Sequence, residues 1–393
     1  MKILFVHNYY QQPGGEDQAF ADQAWLLERH GHDVRQYTVH NDAVDGMNRL
    51  ALAGRTLWNR QTYRELRALI QRERIELVHC MNTFPLISPA AYYAAHAAGA
   101  AVVQEVQNYR LFCPGAFFMR DGRVCTDCLG KRVPWPAVRH RCYRDSRAAT
   151  GVVATLLTSH RLAGSWQRKV DRYIAVTQFS RHKFMEGGLP ADRIAVKPNF
   201  VHPDPGPGDG LGGYAIFVGR LSPEKGLETL LSAWEQLPGN YPLKIVGDGP
   251  LAERVQAAAT RNPAIQWLGR QPLERVCELV GQATCLVFPS LWYEGLPKTI
   301  LESFAKGTPV VASNLGAMSE VIEDGYNGVH FTPGDASELA AKLMPLLLAN
   351  DGDHTLRTMR RAARDAFEQH YTPEVNYPQL LAIYEAALAR QRN

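Results

Sequence analysis

Nowhere does this 393-residue chain run apolar for the ~18–20 residues that a helix needs to cross a bilayer. Its start, Met1-Lys2-Ile3-Leu4-Phe5-Val6-His7-Asn8, turns polar after a short apolar run, which reads as a strand and not as a secretory signal. The protein is therefore expected to stay in the cytoplasm. Cysteine is scarce: seven residues, odd in number and unevenly spread, give no disulfide framework. Excess charge is small as well. Lys and Arg number 43 against 39 Asp and Glu, and a net charge of +4 does not argue for nucleic acid, so none is expected as a partner. No G-x-G-x-x-G opens a strand–turn–helix unit with a suitably placed acid after it, which leaves a dinucleotide oxidoreductase without support. Internal repeats are absent, and low complexity is confined to one short Gly- and Pro-rich stretch.

What is present is a globular composition, 46% hydrophobic, long enough for two domains with separate cores. Short apolar runs alternate with helical patterns throughout. Lys2–Val6, Asp33–Thr38, Ile75–His79, Ala101–Val106, Tyr173–Val176 and Ile194–Lys197 read as strands in the first half. Tyr214–Val218, Leu243–Val246, Ile265–Leu268, Cys285–Phe288, Pro309–Ala312 and Gly328–Phe331 read as strands in the second. Such alternation builds parallel sheets covered on both faces by helices. Between the halves, residues 201–213 are dominated by glycine, proline and aspartate, which form neither element and predict a linker. The expected domains are thus 1–200 and 214–375. Ligands of open parallel sheets bind beyond the carboxyl ends of the strands, so those ends hold the candidate site.

The richest end is Pro289 to Glu302, P-S-L-W-Y-E-G-L-P-K-T-I-L-E, after the buried run Cys285–Phe288. Pro297 suits the first position of a helix, where its missing N–H would have no partner. That leaves Glu294 in the loop and Glu302 inside the helix. Gly295 lets a ligand approach the backbone closely. The N–H groups of Gly295, Leu296, Lys298 and Thr299 form an anion site at the helix start. A nucleotide sugar offers what this arrangement would take: a phosphate, flanked by hydroxyls for two carboxylates. Taken alone, the pair reads equally well as a solvated loop residue and a helix-surface residue. Other strand ends tip the balance. Tyr214–Val218 opens into Gly219-Arg220-Leu221-Ser222-Pro223-Glu224-Lys225-Gly226. There the planar fork of Arg and the compact charge of Lys suit phosphate oxygens and would neutralise a leaving diphosphate, so no catalytic metal is expected. Leu243–Val246 opens into Gly247-Asp248-Gly249-Pro250, and Ile265–Leu268 into Gly269-Arg270.

On these residues the second half resembles the nucleotide-binding domain of family 4 glycosyltransferases, the retaining kind with the GT-B fold. The matching pieces are F-V-G-R-L-S-P-E-K-G, V-G-D-G-P, E-G-L-P-K-T-I-L-E and A-K-G-T-P-V-V-A-S, and the likeness extends over about residues 1–385. It implies an α/β architecture of two doubly wound Rossmann-like domains facing a central cleft, with a last helix, 376–393, crossing back to the first domain. It also implies that Arg220 and Lys225 hold the donor diphosphate, Glu294 the sugar hydroxyls and Glu302 the ribose. The backbone of Gly295 and Leu296 would meet phosphate and sugar, and Gly219, Gly247, Asp248 and Arg270 would complete the donor rim.

In the first half, Gly14-Gly15 follows the first strand and permits close approach of a ligand. By the resemblance this loop closes over the donor. Glu16 and Asp17 already complement the dipole of the helix that follows, so this end alone is not expected to capture the diphosphate. After Ala101–Val106, the resemblance places a His where Gln107 stands. Gln cannot titrate, though its amide still bonds a sugar hydroxyl. In the retaining front-face mechanism the departing phosphate takes the acceptor proton, and Gln107 joins Glu294, Arg220 and Lys225 as a candidate catalytic residue. The expected function is retaining transfer of a hexose-type sugar from a nucleoside diphosphate to a glycan or lipid-linked acceptor in cell-surface polysaccharide synthesis. The alternative is a nucleotide-sugar-binding protein with degraded catalysis. Cys113, Cys125, Cys128 and Cys142 fall in a basic insertion, about 113–147, where four thiolates suit a structural tetrahedral Zn²⁺, with buried free thiols or a labile disulfide as the other reading. Phe117, Phe118, Trp135 and Tyr143 interleave with its cations, a pattern suited to anionic lipid headgroups at the inner face of the cytoplasmic membrane or to the diphosphate of a polyprenyl carrier, and also to a plain solvated face.

Overall fold

The computed structural model describes residues 1–12, 14–349 and 352–392. It divides into two units. One comprises Met1–Phe118, Cys125–Asn199 and the chain from Pro373 onward; the other comprises Met119–Val124 and Phe200–Thr372. Each of the twelve runs expected to be a sheet strand contributes one, with ends moved by up to three residues.

The first unit is built on β1 (Lys2–Tyr9), β2 (Asp33–His40), β3 (Leu77–Cys80) and β4 (Ala101–Val106). After a two-stranded hairpin of β5 (Met119–Arg120) and β6 (Arg123–Val124), which groups with the second unit, come β7 (Arg172–Ala175) and β8 (Ile194–Val196). The sheet order is β2-β1-β3-β4-β7-β8, and every pair is parallel. β1 outruns its apolar stretch because its polar residues find partners inside. Asn8 Oδ1 accepts from the Leu86 N–H at 3.0 Å, and His7 Nε2 lies 2.8 Å from Asp17 Oδ1. The last helix, Pro373–Arg392, also belongs to this unit and begins earlier than expected, with proline at its first position. Its Leu380, Ile383, Tyr384 and Ala387 recur at i, i+3, i+4, i+7 and are buried with Phe5, Phe20 and Val103 of the sheet core. Fully burying each Leu or Ile contributes roughly 1.5–3 kcal/mol.

The second unit is built on β9 (Ala215–Val218), β10 (Leu243–Val246), β11 (Ile265–Trp267), β12 (Cys285–Phe288), β13 (Val310–Ser313) and β14 (Gly328–Phe331). They are parallel in the order β11-β10-β9-β12-β13-β14. The Gly- and Pro-rich stretch before β9 is irregular, as its composition demands, yet it is docked on this unit. Gly208 N donates to Lys306 O at 2.9 Å and Gly210 N to Gly281 O at 3.0 Å. A Cβ on Gly208 would stand 2.2 Å from Gly281 O, so the glycines serve close backbone approach here.

Candidate active site

In the second sheet the strand order reverses between β9 and β12, which pair through Ala215 with Cys285 and Ile216 with Leu286. A reversal of this kind opens a crevice at the carboxyl ends. Both expected loops leave from it: Gly219–Gly226 from β9 and Pro289–Pro297 from β12. Glycine brings them together. Gly226 has φ +70°, and a Cβ there would fall 1.8 Å from the carbonyl oxygen of Pro289. Gly247, at φ +135°, leaves no room either, since its Cβ would lie 1.9 Å from Gly219 O. The Gly219 N–H donates to Val246 O and that of Gly247 to Gly269 O, so three successive strand-end turns brace one another.

Across the reversal Lys225 Nζ donates to Glu294 Oε1 at 2.7 Å. Ser290 Oγ and Trp292 Nε1 donate to the same oxygen at 2.7 and 2.8 Å. Glu294 is 5% exposed, so its charge is held by these donors more than by solvent. Lys225 Nζ also lies 5.3 Å from the Phe288 ring centre and 5.6 Å from that of Trp292, within reach of cation–π attraction. The sequence reading assigned Lys225 to diphosphate and Glu294 to sugar separately, and the structure joins them. Ser290 and Trp292 were missed, although both stand in the motif itself.

Arg220 is exposed, and among the described residues its guanidinium makes no ion pair or hydrogen bond. The helix of the motif runs Lys298–Ala305, with Pro297 just before it instead of inside it. Among the described residues, the N–H groups of Gly295, Leu296 and Thr299 have no acceptor, as a helix-start anion site requires. Lys298 is buried. Glu302 lies within the helix and is half-buried. Burial and then its charge push the thiol of neighbouring Cys277 up to about 11. Asp248 and Arg270 are exposed on the β10 and β11 turns, and Asp248 Oδ1 accepts from the Gly249 N–H at 2.7 Å.

In the first unit the order reverses between β1 and β3. A pocket at these strand ends is lined by Glu16, Asn82, Gln107, Asn108 and Arg110, together with the apolar Leu156, Leu157 and Trp166. Gly14 caps the helix Gly15–Arg29, its N–H donating to Asp17 Oδ2 at 2.9 Å, and a Cβ on it would meet nothing, so its surroundings are open. Glu16 accepts from Tyr10 Oη at 2.7 Å, and burial raises its carboxyl above the ordinary range. Beneath Gln107 runs a buried network that sequence reasoning missed. Glu105, fully buried on β4, accepts from Gln23 Nε2 at 3.0 Å and lies 3.7 Å from the equally buried Lys197 Nζ. Gln107 Nε2 donates to Glu105 and to Asn199 Oδ1, while its own oxygen accepts from Asn199 Nδ2 at 3.0 Å. His79 donates to or accepts from Tyr384 Oη at 2.6 Å, and burial, with Lys197 adding, lowers its pKa to about 3. A polar pair, Gln104-Glu105, within a fully buried strand was the available signal.

Cys113, Cys125, Cys128 and Cys142 are free thiols, all in the first unit. Burial, with the charges of the other three cysteines adding, pushes the Cys128 thiol up to about 11. Burial raises the Cys113 thiol above its ordinary range, and the nearby backbone N–H groups of Phe118, Gly115 and Ala116 act in the opposite direction. Even so, among the described residues no three His, Cys, Asp or Glu side chains are gathered closely enough to hold a metal ion. Of the interleaved aromatics, Phe118 is buried and Tyr143 stacks beneath Arg110, whereas Phe117 and Trp135 face solvent. Among the described residues no helix is long and apolar enough to cross a membrane.

Two units, each built on a six-stranded parallel sheet flanked by helices, give the chain the GT-B fold. Residues 211–366, within the second unit, match the family model of group 1 glycosyl transferases. It is similar to the O-antigen chain mannosyltransferase B of Escherichia coli, 32% identical over 180 residues that make 43% of this chain and 46% of that one. It is also similar to the phosphatidyl-myo-inositol mannosyltransferase of Mycobacterium leprae, 31% identical over 56% of this chain and 60% of the relative. The chain spans about half the length of the curated relatives it matches. In structure it is similar over its whole length to the Anabaena protein HepE in complex with UDP. The TM-score is 0.69 at 19% identity, with 98% of this chain and 100% of that one covered.

Proposed function

We propose that the protein is a retaining hexosyltransferase of family 4 that takes its sugar from a nucleoside diphosphate. The observation that carries this reading is the Lys225–Glu294 pair across the strand-order reversal, beside exposed Arg220 and a helix start with free N–H groups. In this reading Arg220 and Lys225 take the diphosphate in place of a divalent metal, and the N–H groups of Gly295 and Leu296 meet phosphate and sugar. Glu294 orients the sugar and Glu302 the ribose, with Gly219, Gly247, Asp248 and Arg270 forming the rest of the rim. Gly14, Gly15 and Gln107 are the proposed ligand contacts of the first unit. The bond between the anomeric carbon and the diphosphate oxygen breaks, the acceptor oxygen bonds to that carbon on the same face, and the acceptor proton passes to the departing phosphate.

The acceptor we propose is a glycan or lipid-linked glycan of cell-surface polysaccharide synthesis, met at the cytoplasmic face of a membrane. The names of the mannosyltransferase relatives support that class. UDP is the first nucleotide to try, because HepE was crystallised with it. Zinc also stays a proposal. Four thiols share one electrostatic neighbourhood, but an ion would have to draw them onto a common centre. Thermal shift against a panel of nucleotide sugars tests the donor, because a ligand that binds only the folded state raises the melting temperature. Transfer from the best donor, with the product's anomeric configuration read by NMR, tests the reaction. An inverted product refutes retention, and binding without any transfer selects the degraded, binding-only alternative.

A further inference from the structure

The chain's positive charge is not spread evenly. Residues 131–147 hold six Lys and Arg against one acid, Asp145, while the rest of the chain has 37 Lys and Arg against 38 Asp and Glu. All six cations are exposed, and none makes an ion pair among the described residues. The short helix Trp135–Arg139 explains the display. Its foot is buried Ala137, whose carbonyl accepts from the Cys142 N–H at 3.0 Å, while Trp135 is left 68% exposed. Leu162, ending the helix Arg147–Leu162, is 67% exposed. Its neighbour Arg161 donates to the carbonyl of Lys131, at the start of the basic run. Trp135 thus protrudes within a run of cations that make no ion pair among the described residues, and Leu162 is exposed one residue past the arginine tied to that run's start. We propose that this face docks on an anionic phospholipid bilayer, Trp135 and Leu162 entering the interfacial layer and the cations meeting headgroup phosphates. Trp is suited to that layer because one end of its ring system is apolar and the other donates a hydrogen bond. Nucleic acid is the weaker fit, since Phe118 is buried and Tyr143 lies under Arg110, which leaves no row of aromatic faces for bases.

The test is flotation of the full chain with sealed vesicles, without donor or acceptor, so its outcome does not depend on glycosyl transfer. Vesicles of equal parts phosphatidylglycerol and phosphatidylcholine should carry the protein; vesicles of phosphatidylcholine alone should not. Binding should fade toward 1 M salt, where the screening length falls from ~10 Å to ~3 Å. Each cation near such a surface is worth about five-fold in affinity, or about 1 kcal/mol. Arg139→Glu with Arg141→Glu should therefore weaken binding at least ~25-fold, and Trp135→Ala by about tenfold. An unchanged unfolding midpoint shows that the variants fold. Should the first pair fail to fold, Lys131→Glu with Arg132→Glu replaces it with the same expectation. The proposal is overturned by equal binding to neutral vesicles, by no binding to anionic ones, by full binding of the folded double variant, or by tighter capture of a random single-stranded RNA.

Discussion

Arg220 and Lys225 would both hold the diphosphate, yet only one of them is part of the fold, and separate substitutions can show it. Lys225 Nζ donates at 2.7 Å to Glu294, a carboxylate 5% exposed. Lys225→Met removes that charged donor and leaves the carboxylate on neutral Ser290 and Trp292 donors. A hydrogen bond to a charged group is worth roughly 1.5–3 kcal/mol, and partial solvent access to the Lys225 side chain favours the lower half of that range. Arg220 is exposed and unpaired among the described residues, so Arg220→Ala should change stability by less than about 0.5 kcal/mol. Toward a nucleoside diphosphate the two should behave alike, each losing about 10- to 150-fold in affinity. Urea unfolding and calorimetric titration with UDP and GDP read the two effects separately. Equal urea midpoints for the two variants would refute the structural role of Lys225. Unaltered nucleotide affinity in Arg220→Ala would refute the diphosphate site.

The second unit's site was legible because its chemistry is local. A strand, a glycine and a cation stand within eleven residues of one another, and the E-G-L-P-K-T-I-L-E motif carries both carboxylates in one stretch. What could not be read was which groups pair. Lys225 and Glu294 are 69 residues apart, and only the sheet order, with Gly226 against Pro289, sets them 2.7 Å from each other. The first unit hid more. Glu105 meets partners far off in sequence, Gln23 before it and Lys197 after it, so no window contains the network. Its sole trace is polarity inside the buried strand Ala101–Val106, which must be satisfied somewhere. The Gly- and Pro-rich stretch shows the opposite limit. Its composition rules out regular structure and is silent on whether the chain swings freely or, as here, lies against Gly281 and Lys306. Composition likewise could not say that Phe118 turns inward while Trp135 turns out.

Glu302→Ala should weaken free nucleoside diphosphate and nucleotide sugar alike, whereas Glu294→Ala, which also frees Lys225, should cut transfer by more than it changes affinity for the free diphosphate; equal losses for both ligands would end that division of roles. Protein purified without chelator should carry close to one zinc per chain, lost with Cys128→Ser, and a metal-free native protein refutes the zinc site. Stability should fall on acidification. His79 is neutral in the folded state, its pKa lowered from 6.5 to about 3. The unfolded chain therefore binds more protons between those values, and by pH 5 about 2 kcal/mol is lost. His79→Asn should remove that share of the slope between pH 7 and pH 5 in urea unfolding, and an unchanged slope would show that another group governs it. The last expectation concerns Gln107, where the resemblance places a His. Its amide already serves Glu105 and exchanges two bonds with Asn199, so both donor hydrogens are in use and one lone pair of its oxygen is left for a ligand. That is the arrangement of a strut that positions the strand end. Gln107→Ala should accordingly lower turnover more than donor affinity. Gln107→His, which cannot reproduce the amide pair with Asn199, should bring no gain in turnover. A gain would mean that a titratable group is wanted at this position, and that Gln107 marks a site weakened in this chain.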